Sequence, residues 1–85
     1  LLAGLTSLLL AHGDSNDPGM KLLQKGEFSK ALKTFENECK NGNGWACGNA
    51  AIMYYRGIGT VVNKTKAKEY DKKGCELNDI DSCEN

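Results

Sequence analysis

Between Phe28 and Cys39 the apolar residues Phe28, Ala31, Leu32, Phe35 and Cys39 follow the i, i+3, i+4, i+7, i+11 spacing of one helical face. Lys30, Lys33, Glu36 and Asn37 take the wet side, and the pattern predicts a helix from Phe28 to about Lys40. Ahead of it, Asp17 can cap a short helix that has Pro18 in first position, carries Met20, Leu22 and Leu23, and ends near Gly26. The run Asn41-Gly42-Asn43-Gly44 cannot continue a helix and predicts a tight reversal. Trp45 to Tyr55 reads as a third helix, in which Ala50 and Ala51 let a neighbouring backbone approach while Tyr54 and Tyr55 fill the gaps. Gly57-Ile58-Gly59 stops it. Asn63 then caps a fourth helix with Ala67, Tyr70, Gly74 and Cys75 inward, and Asn78-Asp79 turns the chain before Ser82 opens a fifth.

The first thirteen residues, LLAGLTSLLLAHG, form an apolar run too short to span a bilayer, which needs about 20 residues. They suit the core of a secretory leader, with small residues Ala11 and Gly13 ahead of Asp14, although the starting Met and basic flank are missing. The competing reading is an apolar helix packed on its neighbour. On either reading no membrane insertion of the mature chain is expected.

A longer period lies over the helical one. Cysteines at 39, 47, 75 and 83 form two C-x7-C pairs offset by 36 residues, and Lys30-Ala31 returns as Lys66-Ala67 at the same offset. A period of this size predicts stacked helical hairpins. The expected division is a leader or apolar helix at 1–13, a first helix and junction at 14–27, one cysteine-paired repeat at 28–63 and a second, truncated repeat at 64–85. Each first cysteine ends one helix and each second cysteine begins the next, so pairing Cys39 with Cys47 and Cys75 with Cys83 uses the repeat symmetry. Free buried thiols are the bland alternative. Zinc knuckles would need shorter gaps and a thiol redox site would need C-x-x-C, so no metal or cofactor is expected. Paired cysteines in a chain of 85 residues point to an oxidising compartment.

Charge narrows the partners. Eleven basic and eleven acidic residues balance, which gives no electrostatic case for nucleic acid or an acidic membrane. The lysines at 64, 66, 68, 72 and 73 are interleaved by Glu69, Asp71 and Glu76 and read as a solvated face. Trp45 and Tyr55 are either ligand-facing aromatics or hairpin core, and with Asn49 they are the candidate binding residues.

The segment CGNAAIMYYRGIG from Cys47 to Gly59, followed by Asn63, Lys66, Ala67 and Cys75, resembles the Sel1-like repeat in its cysteine-paired form, the helicobacter cysteine-rich proteins. Ala46, Cys47, Tyr54, Gly57, Gly59, Lys66, Ala67 and Cys75 stand where that pattern expects them. Ala50-Ala51 replace its Leu-Gly, Thr60 its Val and Asn63 its Asp, and residues 20–31 look like a tetratricopeptide-type junction. The resemblance covers about residues 28–85 and implies an all-α solenoid of antiparallel, disulfide-clamped hairpins.

It also implies a secreted or periplasmic scaffold, monomeric, holding a protein or peptide partner in a groove. Some members carry a β-lactamase description, so a β-lactam-binding protein or weak β-lactamase is the alternative. None of Ser7, Ser15, Ser29 or Ser82 begins S-x-x-K, no K-T-G occurs, and His12 is the single histidine. No catalytic residue is expected.

Overall fold

The computed structural model describes residues 16–77 and 79–83, and all regular structure among them is helical. The elements are α1 (Pro18–Gln24), α2 (Phe28–Lys40), α3 (Gly44–Arg56), α4 (Lys64–Glu76) and the single turn α5 (Ile80–Cys83). The expected leader at 1–13 lies outside the described residues. Packing is sequential: α1 on α2, α2 on α3, α3 on α4 and α4 on α5, with a lesser contact between α3 and α5.

Local chemistry sets the boundaries. Asp17, in extended backbone, accepts from the Gly19 N–H at 2.9 Å and the Met20 N–H at 3.3 Å, and Pro18 occupies the first turn, where its missing N–H costs nothing. Asn63 does the same for α4, its Oδ1 accepting from the Lys66 N–H at 3.0 Å. Gly57 closes α3 at φ 70°, a left-handed conformation that costs a β-carbon residue energy. The loop after it folds back on α3, with Ile58 N–H donating to the Met53 carbonyl and Asn63 N–H to the Tyr54 carbonyl, each at 2.9 Å.

Small residues let the helices approach. Ala31, Ala46, Ala50, Ala51 and Ala67 are all fully buried, and Leu23, Phe35 and Met53 supply the bulk between them. Trp45 meets Phe35 edge to face, centroids 6.1 Å apart, and so ties α3 to α2. Gly19 presses α1 against the Phe35 ring so closely that an added Cβ would lie 2.5 Å from it. Disulfides join Cys39 to Cys47, with Cα atoms 4.6 Å apart, and Cys75 to Cys83, at 4.7 Å. The first is buried, whereas Cys75 is half-buried and Cys83 exposed. Phe28 departs from the helical-face reading: it stands in the first turn of α2, beyond the reach of the core, and is 38% exposed.

Candidate functional site

The three residues expected to bind are not gathered by the fold. Trp45 is half-buried against Phe35. Asn49 is fully buried in α3, and neither its carboxamide oxygen nor its nitrogen has a hydrogen-bond partner. Tyr55 opens on another side, lining a cleft of about 600 Å³ with Lys68, Lys72 and the Cys75–Cys83 bridge.

A different set of residues does converge. Tyr54 and Tyr70 stack nearly parallel, centroids 5.8 Å apart and planes 8° from parallel. Both hydroxyls donate to the same oxygen of Glu36, Oε2, at 2.6 Å from Tyr54 and 3.0 Å from Tyr70. The Lys66 ammonium sits 5.4 Å from the Tyr54 ring centroid, within cation–π range. Burial, and then donation to the Glu36 carboxylate, push the Tyr54 phenol up to about 12, and the same causes push Tyr70 further still. Both rings therefore stay neutral donors, and three helices are pinned at one oxygen atom.

Above this cluster α2 and α4 flank a cleft of about 460 Å³, lined by Glu36 and Tyr70 together with Lys33, Lys40 and Lys73. A smaller cleft of about 210 Å³ shares Tyr70 and Lys73 and adds Lys66 and Glu69. Pattern reading set Glu36 on the wet face, which missed its role because its tyrosine partners lie 18 and 34 residues further along the chain. The available signal was that inward tyrosine hydroxyls require an acceptor.

A second acidic feature lies at the far end of α2. Burial raises the Glu38 carboxyl to about 7, and the neighbouring Asp17 carboxylate adds to the effect by accepting its proton and repelling its charge. Glu38 Oε1 has no hydrogen-bond partner. Among the described residues no cluster of His, Cys, Asp and Glu could hold a metal ion, and no helix is long and apolar enough to cross a membrane.

No family model matches the chain, and no solved structure matches it. A curated protein that does match is the cytochrome c oxidase assembly factor 7 homolog of Drosophila melanogaster, 36% identical over 63 residues, which is 69% of this chain. The chain spans about a quarter (24%) of the length of that relative. These findings correct two expectations. The Sel1-like, helicobacter cysteine-rich assignment is not carried by any family model, and the relative bears a different name. The secreted groove scaffold and its β-lactamase alternative fall with it.

The physical reason is visible in the matched positions, which perform local structural work. Ala46 and Ala67 are contact-making small residues, Gly57 is a left-handed cap, and Cys47 and Cys75 each enter a bridge. Close-packed helices stapled at their turns need those residue types whatever family they serve.

Proposed function

We propose that this chain is a helical module of an assembly factor for cytochrome c oxidase, working by contact with a protein partner. The observation that carries the reading is the 36% identity over 63 residues to a protein named for that role. Two disulfides among the described residues support residence in an oxidising compartment. The equal separation of 8 residues within each bridge supports a further reading, that α2–α3 and α4–α5 are successive copies of one disulfide-clamped unit in a solenoid.

The test is genetic and biochemical. Deleting the gene from its own cells should lower the amount of assembled cytochrome c oxidase on native gels, and oxygen uptake from an artificial donor to cytochrome c should fall in proportion. Re-expression should restore both. Normal oxidase content in the deleted strain would overturn the proposal.

A further inference from the structure

We infer that Asn41 is a site of spontaneous modification to aspartate and isoaspartate, and that the fold withholds the same chemistry from Asn43. The site lies in the turn between α2 and α3, and it exists whatever partner the chain serves.

Asn41 and Asn43 are the asparagines of this chain that are followed by glycine. Glycine matters because its own backbone nitrogen begins the reaction, and a β-carbon beside that nitrogen would crowd the approach. The deprotonated Gly42 nitrogen attacks Cγ of Asn41 and closes a cyclic imide, and the Cγ–Nδ2 bond breaks as ammonia leaves with a solvent proton. Water then adds to either imide carbonyl. Opening at Cγ gives aspartate. Opening at the main-chain carbonyl gives isoaspartate, in which the backbone runs through the side-chain methylene. Ammonia is lost, water is gained, and nothing is oxidised or reduced.

The fold admits this at Asn41. Asn41 and Gly42 are exposed, and an added Cβ at Gly42 would meet nothing within 4 Å, so the carboxamide and water have room. Asn41 stands at φ −86° and ψ 9°, and Gly42 at φ 99°. Counter-rotation of that ψ and the glycine φ turns the intervening peptide plane over while the flanking chain stays in place. The Gly42 nitrogen swings towards the carboxamide, and glycine accepts the negative φ that results. The hydrogen bond given up is the one from the Gly42 N–H to the Cys39 carbonyl, 3.0 Å long.

At Asn43 the same turn is opposed from both sides. Its N–H donates to the Glu38 carbonyl at 3.0 Å, and its carbonyl accepts from the Cys47 N–H at 3.3 Å, a bond that starts α3. Turning the peptide plane between Asn43 and Gly44 breaks that bond at a buried helix start. An added Cβ at Gly44 would lie 3.0 Å from the Leu77 carbonyl oxygen and 3.1 Å from the Leu77 Cβ, so the space for ring closure is already filled.

The product differs from the parent in charge and in backbone. A carboxylate appears at the C-terminal end of α2, where the helix dipole disfavours an anion, and a chain of zero net charge becomes acidic. Isoaspartate also lengthens the main chain inside the loop closed by Cys39 and Cys47, and the bridge keeps α2 and α3 joined across the altered turn.

The test incubates the disulfide-intact chain in neutral buffer at physiological temperature, beside a reduced chain held unfolded in guanidinium chloride. Samples are alkylated and cleaved in mild acid, and fragment-ion mass spectrometry assigns the amide-to-acid conversion to each position. An isoaspartate methyltransferase with labelled S-adenosylmethionine counts the isoaspartate. In the folded chain Asn41 should convert at least about tenfold faster than Asn43, a barrier difference of about 1.4 kcal/mol. In the unfolded chain both should convert at similar rates, since both precede glycine. On ion exchange the acidic variant should vanish from an Asn41→Gln chain and persist in Asn43→Gln. Equal conversion of the two asparagines in the folded chain, or faster conversion of Asn43, would overturn the inference. So would an Asn41 still intact in the folded chain when the unfolded one has converted at both positions.

Discussion

Replacing Glu38 by Gln should make the protein more stable at neutral pH and leave it unchanged in mild acid. Glu38 ionises near pH 7 in the fold against an ordinary value of 4.5, because burial and the Asp17 carboxylate both disfavour its charge. A tenfold difference in proton affinity between folded and unfolded chains corresponds to about 1.4 kcal/mol, so the full difference would be about 3 kcal/mol. Solvent reaches this half-buried carboxyl, and screening reduces the figure to about 1 kcal/mol. The sign follows from which state holds the proton. Below pH 4.5 both states are protonated and nothing is lost. Between pH 4.5 and 7 the unfolded chain releases its proton first, so stability falls as pH rises, and above pH 7 the loss is complete.

Glutamine keeps a donor for Asp17 and carries no charge. Urea unfolding of the disulfide-intact protein, followed by helical circular dichroism, should show coincident curves near pH 4.5. Near pH 7.5 the Glu38→Gln midpoint should be higher by about 0.5–1 M, for a slope of about 1–2 kcal/mol per molar. Asp17→Asn keeps the helix cap and should shrink the pH-dependent part in the unaltered Glu38 background. A gap between Glu38→Gln and the parent that is constant with pH, or narrows as pH rises, would refute the reasoning.

Three further outcomes follow from the packing. Asn49→Ala should cost less than about 1 kcal/mol although the side chain is fully buried, because it removes an amide whose desolvation costs about 1–3 kcal/mol unpaid by hydrogen bonds; a loss above about 2 kcal/mol in urea unfolding would mean that the carboxamide is partnered. The raised tyrosines should erode stability as pH climbs from 10 towards 12, where the unfolded phenols ionise and the folded ones do not, and Glu36→Gln should soften that decline, as followed by phenolate absorbance and circular dichroism together. Under limiting dithiothreitol, alkylation and peptide mapping should find Cys83 and Cys75 labelled before the buried Cys39 and Cys47, and a Cys39→Ala/Cys47→Ala chain should lose about 2–3 kcal/mol.

Short-range chemistry was the legible part of this chain. Asp17, Pro18, Gly57 and Asn63 act on neighbours within a few residues, so their positions predict the starts and stops of helices that the fold then shows. The inward face of α2 was also legible except at Phe28, since periodicity names a face and says nothing about where the partner helix ends. Asp71 shows the same limit: it looks like a solvated member of a mixed-charge run, yet it is buried on α4. The tyrosine–glutamate cluster was not legible as a site. Its three members belong to three helices, and nothing in the spacing of Glu36, Tyr54 and Tyr70 tells that one carboxylate oxygen will receive two hydroxyls.

The bridges also change what a break in the backbone would mean. Each joins cysteines 8 positions apart across a helix junction, so between Cys39 and Cys47, and again between Cys75 and Cys83, two covalent routes join the same helices. A peptide bond hydrolysed inside either stretch leaves the two pieces joined through the disulfide as one molecule, and tension applied along the chain passes through sulfur and bypasses the turn. Two of the interhelical junctions are thus duplicated, and the single-stranded ones are the turn between Gln24 and Phe28 and the loop between Gly57 and Asn63.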